Sequence, residues 1–257
     1  SSGIGEALVY AFADRGAKVV MGARNSAKLA EIAAQLFTRG IESAFEATDV
    51  TREEDCKRLI NKALSAFGRI DILICNAGIS MRALFDDVQL DVLRQLMDVN
   101  FWGTVYCAKY ALPALQAAKG TLVGVSSVAG MHGLPGRTGY SASKFAMTGL
   151  LETIRIENLK KGVHVMVACP GFTASNVRFS ALTADGTSQG ESPRNESKMM
   201  SAEEVAQRII RGIERRKRTL LMEFDGRATS LIGKFAPGLL DRLFNNHMAK
   251  EPDSPFK

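Results

Sequence analysis

Tyr140 and Lys144 stand four residues apart in the run Tyr140-Ser141-Ala142-Ser143-Lys144. On a helix that spacing puts both side chains on one face. A phenol ordinarily ionises near pH ~10, and an ammonium held beside it favours the phenolate. The pair can therefore work as a general acid and base. A bare Tyr-x-x-x-Lys pattern is also common on packed helix surfaces, so the reading depends on what else converges on it. Ser127 follows the apolar run Thr121–Val125 and can orient a substrate oxygen through its hydroxyl. Ser126 competes for that role, because successive residues of a strand point to opposite faces.

A second group of residues reads as an anion site. Ser2-Gly3-Ile4-Gly5 feeds a helical stretch, and a loop of small residues at a helix start lets backbone N–H groups approach a pyrophosphate. Arg24 follows the next apolar run. In dinucleotide-binding folds an acidic side chain at that place holds the adenosine ribose, whereas an arginine accommodates a 2′-phosphate. Ala23 and Arg24 offer no acid. Alone, Arg24 would be an ordinary surface arginine. In this setting its fork can pair with phosphate, which favours NADP(H) over NAD(H).

These residues are carried by an alternating pattern. Helices are expected at 6–15, 26–38, 51–67, 90–118, 138–161 and 201–216. Strands are expected at 17–22, 42–47, 71–75, 121–125, 163–169 and 219–224. Thr51 with Glu54 reads as a capping box, and Pro113 as a kink or break. Such alternation implies a mostly parallel sheet covered on both faces, with ligands beyond the carboxyl ends of its strands. Arg24, Asp49, Asn76, Ser127 and Pro170-Gly171 all follow expected strands, so they should meet in one crevice. Residues 172–200 are rich in Ser, Thr, Gly and Asn and read as a substrate lid.

Composition sets the bounds. The chain has 257 residues, 46% of them hydrophobic and 23% charged, with a net charge of +6. That describes a globular chain long enough to bury a large core, not a disordered one. The basic run Arg215–Arg218 reads as a solvated helix end, so nucleic acid is not an expected partner. Cys56, Cys75, Cys107 and Cys169 are dispersed in apolar stretches, consistent with a reducing compartment and a cytoplasmic location. His132, His164 and His247 have no metal-ligand spacing, and no metal is expected.

Taken together, the motifs resemble the single-domain short-chain dehydrogenase/reductase family. They are SSGIG at the start, Asp49-Val50, Asn76-Ala77-Gly78, VNFWG at 99–103, VSSVAG at 125–130, YSASK at 140–144 and PGFTAS at 170–175. The resemblance implies a Rossmann-type doubly wound α/β fold over residues 1–225. It implies that Tyr140 exchanges the hydroxyl proton, that Lys144 lowers its pKa and holds the nicotinamide ribose, and that Asn100 completes a relay. Ser127 would position the carbonyl. Asp49 and Val50 would flank the adenine, while Asn76, Ala77 and Gly78 would line the cofactor. Pro170 and Gly171 would also bind the cofactor, and Thr173 and Ser175 would contact the carboxamide and a nearby phosphate, in places where the family usually has Val or Ile and then Thr. Met131 and Phe172 are candidates for an apolar substrate wall.

One departure stands out. The family's first strand, and the Thr and Gly that open its loop, have no counterpart before Ser1, so the first, central strand is expected to be missing from the sheet. The resemblance implies an NADP(H)-dependent carbonyl reductase or secondary-alcohol dehydrogenase, assembled as a homodimer or homotetramer. The alternatives are an epimerase or dehydratase of related fold and a non-catalytic NADP(H) sensor or scaffold. Within the C-terminal extension 226–257, Leu231–Met248 is amphipathic with interleaved Lys and Arg. It resembles the tail of a lipid-reducing subgroup, which extends the expected substrates to lipid-like or steroid-like ketones. That tail either meets a membrane surface or packs on the domain or a partner.

Overall fold

The computed structural model describes residues 1–173, 177, 179–190, 199–222, 233 and 235–250. Its spine is a run of four parallel strands in the order β3 (Ile72–Cys75), β4 (Thr121–Val125), β5 (His164–Cys169) and β6 (Thr219–Leu221). Every residue of β4 and β5 is buried. Their side chains alternate between two cores, which explains the unbroken apolar runs. Leu122, Val165 and Val167 pack with Cys56, Leu115 and Leu151 under α3 (Glu53–Phe67), α5 (Gly103–Ala118) and α6 (Thr138–Glu157). Val123, Val125, Met166 and Ala168 face the other way, onto α1 (Gly3–Ala13) and α7 (Ala202–Glu214).

The other strands, β1 (Val19–Ala23) and β2 (Ser43–Ala47), form a separate parallel pair with Val19 opposite Ser43 and Ala23 opposite Ala47. Met21 packs with Leu29, Ile32 and Leu36 of α2 (Ser26–Thr38). No described residue bridges β1 to β3 by sheet hydrogen bonds. The slot between them is lined by Val19, Val20 and Met21 on one side and by Ile72, Leu73 and Ile74 on the other. The expected central strand is thus not replaced by another described segment.

Two local expectations are corrected. The helix from 90 to 118 is not interrupted at Pro113, which sits inside α5. It changes character at Asp98–Trp102, a π-helical turn joining α4 (Leu90–Met97) to α5. Thr51 does not cap α3; its N–H and hydroxyl donate to Asp49 Oδ1 at 3.0 and 2.8 Å, and Asp55 Oδ2 accepts the Asp49 N–H at 3.0 Å. Beyond β6, the tail forms α8 (Pro237–Ala249), which buries Leu240 and Met248 and brings Phe244 within 6.3 Å of His132 between ring centroids.

Among the described residues no helix is long and apolar enough to cross a membrane, and no His, Cys, Asp or Glu group could hold a metal ion. All four cysteines are free and buried.

Candidate active site

The carboxyl ends of β1, β3, β4 and β5 open into one cavity of about 2040 Å³. That is well above the ~300–1,000 Å³ of ordinary ligand pockets, because it runs on into the slot between β1 and β3.

At its centre α6 lies against β4. A Cβ on Gly124 would stand 2.2 Å from Leu151 Cδ1, and one on Gly130 would stand 2.9 Å from the Lys144 carbonyl oxygen. The Gly130 contact is with helix backbone and needs glycine, and it brings the second turn of α6 up to the turn after β4. Ser127 caps a short 3₁₀ turn there, its Oγ accepting the Ala129 N–H at 3.2 Å. Ser126 turns the other way. It is buried against α6, with its Oγ 3.4 Å from the Lys144 carbonyl oxygen and 3.3 Å from Thr148 Oγ1. The choice between the two serines therefore falls to Ser127, whose side chain favours the ionised form of the Tyr140 phenol.

Lys144 is buried, and its Nζ donates to the Val125 carbonyl at 2.8 Å while lying 5.7 Å from the Tyr140 ring centroid. Burial pushes its pKa down to about 8. Burial also holds the Tyr140 phenol above its ordinary value, against the downward pull of the Ser127 hydroxyl and the Arg137 charge. The ammonium donates to the Val125 carbonyl and lies beside the Tyr140 ring, and the Ser127 side chain and the Arg137 charge also favour phenolate.

Asn100 is fully buried behind the cavity wall. Its Oδ1 accepts the Ile79 N–H at 2.8 Å, and its Nδ2 donates to the Ile79 carbonyl at 3.0 Å and to Ser143 Oγ at 2.9 Å. The π turn makes this clamp possible by rotating Asn100 inward while Trp102 stays outside; such turns recur at functional sites. Ser143 in turn donates to the Tyr140 carbonyl at 2.8 Å, so Asn100 ties α6 to the loop after β3.

The expected cofactor residues share this cavity. Ser2, Gly3, Ile4 and Gly5 line it at the start of α1, where no side chain caps the helix and Gly3 takes a φ of +53°. A Cβ on Gly5 would stand 2.8 Å from Asn76 Nδ2. One on Gly78 would stand 3.1 Å from Asn100 Oδ1 and 3.3 Å from Lys144 Nζ. Open N–H groups beside a glycine-floored channel fit a dinucleotide pyrophosphate. Arg24 lies exposed at the end of β1, on the same wall as Asp49 and Val50. Ala77, Pro170, Gly171 and Thr173 complete the far side; Ser175 lies outside the described residues.

Phe172 lines the catalytic end. Met131 does not: it packs against the core beneath α6, and the apolar wall is supplied by Leu134, Val177 and Leu182 instead. The lid contributes Leu182, which pairs with both Met81 and Ser188. Arg137 and Ser143 were missed by the sequence reading. Ser143 follows Tyr140 by three residues, so helical spacing alone placed it beside the reactive face. Arg137 lies before the expected helix, where no periodicity marks it.

Comparison with known proteins agrees with this architecture. The short chain dehydrogenase family matches residues 1–185, so the chain belongs to that family of oxidoreductases. It is 34% identical to 11-beta-hydroxysteroid dehydrogenase A of Arachis hypogaea over 99% of this chain and 75% of that protein. It is likewise 34% identical to dehydrogenase/reductase SDR family member 7B of Mus musculus, over 99% of this chain and 80% of that protein. Its fold is shared with a short chain dehydrogenase/reductase from Burkholderia phymatum solved in complex with NAD. That match has a TM-score of 0.82 at 23% identity, covering 93% of this chain and 91% of that one. An alcohol dehydrogenase from the archaeon Thermococcus sibiricus, complexed with 5-hydroxy-NADP, matches at a TM-score of 0.73 and 24% identity, over 85% and 89% of the two chains.

Proposed function

We propose that this enzyme is an NADP(H)-dependent carbonyl reductase or secondary-alcohol dehydrogenase whose substrate is a lipid-like or steroid-like ketone or the matching alcohol. The observation that carries the reaction class is the convergence of Ser127, Tyr140 and Lys144 on one cavity, with Asn100 locking the helix that bears two of them. The ribose and nicotinamide would be held by Lys144, Gly78 and the Pro170–Thr173 turn, and the 2′-phosphate by Arg24. When bound, the nicotinamide supplies or accepts the hydride.

The chain's own groups handle the oxygen. Ser127 donates to the carbonyl oxygen and fixes it against Tyr140. In reduction the Tyr140 hydroxyl gives its proton to that oxygen; in oxidation its phenolate takes the proton back. Phe172, Leu134 and Leu182 exclude water and favour an apolar substrate body. The steroid direction is supported by the name of the Arachis relative.

A homodimer through α5 and α6 is part of this reading. Trp102 stacks on Tyr106 at 5.7 Å, and Trp102, Phe145 and Ile156 remain exposed on this surface. In the tail, Phe235, Leu239 and Leu243 are exposed at four-residue spacing, which supports contact with a membrane surface.

The test is NADPH oxidation across aliphatic, lipid and steroid ketones, with NADH run in parallel. Turnover confined to apolar ketones and favouring NADPH is the expected result. NADPH binding without turnover on the whole panel would leave a sensor or scaffold as the better reading.

A further inference from the structure

The basic run Arg215–Arg218 takes no part in the site. It joins the end of α7 to the start of β6, and β4, β5 and β6 are parallel, so it lies at the opposite end of the sheet from Ser127. Two other segments bring cations to the same end. Lys119 closes α5 just before β4, and Lys160 and Lys161 close the 3₁₀ turn just before β5. Contacts hold the three together. A Cβ on Gly162 would stand 3.4 Å from Lys119 Cγ, Arg216 Nη2 donates to the Gly162 carbonyl at 3.4 Å, and His164 Nε2 lies 2.8 Å from the Lys217 carbonyl.

Lys119, Lys160, Lys161, Arg215, Arg216 and Arg218 are all exposed, and none pairs with a carboxylate among the described residues. Glu214, beside the run, reaches Arg15 at 4.0 Å instead. These six charges equal the net charge of the chain, +6; the remaining Lys and Arg match the 27 Asp and Glu in number. Cations favour helix C-termini, which explains one at each end but not two or three. Two of them also sit where glycine is the usual residue. Lys119 and Arg216, at φ +50° and +47°, are the described non-glycine residues with left-handed backbone.

The face is not purely polar. Leu159 is 60% exposed directly beside Lys160 and Lys161. The segments 156–162 and 211–218 hold no aromatic residue on which a base could stack. A leucine standing among lysines and arginines suits a bilayer, where the apolar side chain enters below the headgroups and the cations meet their phosphates. We infer that this face docks on an anionic phospholipid bilayer. It is a different surface from the tail, whose Phe244 meets His132 beyond the other end of β4.

The test uses the full chain and sedimentation with phosphatidylcholine vesicles, with and without phosphatidylserine. Binding should need phosphatidylserine and weaken as salt is added. Arg215→Gln with Arg218→Gln removes two side chains that make no hydrogen bond among the described residues. It should weaken binding by about 30-fold. Leu159→Ser should weaken it by about fivefold. If the arginine variant does not fold, Lys160→Gln with Lys161→Gln carries the same test from another segment, with the same loss expected. Folded variants that bind phosphatidylserine vesicles like the wild type overturn the inference. So does a loss seen only in Leu239→Ser, which gives the contact to the tail. Duplex DNA or single-stranded RNA that displaces the vesicles, and loses its own binding in the arginine variant, would assign the face to nucleic acid and also overturn it.

Discussion

The two parallel strand pairs β4–β5 and β1–β2 have the same local geometry and opposite surroundings. Every residue of β4 and β5 is buried, whereas β1 and β2 together bury only Met21. The first pair is covered on both faces by α1, α5, α6 and α7; the second leans on α2 and borders the slot. Ser127 follows β4, and Tyr140 and Lys144 ride on the helix packed against it. Arg24, the proposed phosphate contact, stands exposed at the end of β1. Proton transfer demands placement to about an ångström, so it belongs on backbone fixed from both sides. A charge-to-charge contact tolerates more freedom, and a surface arginine on a half-covered strand suffices.

The largest effect expected from breaking this division is at Tyr140. Tyr140→Phe keeps the ring that packs beside Met81 and Leu96 and removes the proton donor. Turnover should fall by roughly 10²–10⁴-fold, while NADPH binding, read by fluorescence titration, changes little. Next comes Arg24→Asp. Losing a charge-assisted contact worth about 1.5–3 kcal/mol should weaken NADPH by roughly tenfold or more, with NADH favoured and thermal stability unchanged. Equal NADPH affinity in that variant would detach Arg24 from the phosphate.

The sequence reads best where local chemistry decides. The range 26–38 is the helix α2, because Asn25 caps it by accepting the Lys28 N–H and the 29/32/36 stripe faces Met21. The Tyr140/Lys144 face and the run 121–125 were legible for the same reason. Distant contacts were not. The π turn at 98–102 exists because Asn100 reaches Ile79 across the chain, so the visible Pro113 drew the break to the wrong place. Asp49 takes the Thr51 N–H that Glu54 was expected to take, and Asp55 in turn takes the Asp49 N–H. Met131 follows a 3₁₀ turn whose side-chain directions depend on α6 packing, and it points into the core. Arg137 sits in a loop held by Ala83 and Leu134, a placement no periodic pattern reveals.

A smaller pair of substitutions tests whether the two halves are separable. Gly130→Ala would set a methyl 2.3 Å from Ser126 Oγ and 2.9 Å from the Lys144 carbonyl. The hydroxyl can rotate, but the helix backbone must shift. Overpacking of this kind costs about 1–3 kcal/mol, and the shift moves the helix that carries Tyr140, so kcat should drop along with Tm. Asn25→Ala removes the α2 cap, whose Oδ1 accepts the Lys28 N–H at 3.0 Å. That loss costs about 1 kcal/mol, or about 2–4 °C in Tm for a domain of 150–250 residues. It falls on the half that holds no group of the proton transfer, so kcat should stay near wild type. Thermal melts and saturating kinetics on both variants make the comparison. If Asn25→Ala lowers kcat as far as Gly130→Ala does at matched loss of Tm, then the two halves move as one body. The close packing of α6 on β4 would then not be what sets the catalytic geometry.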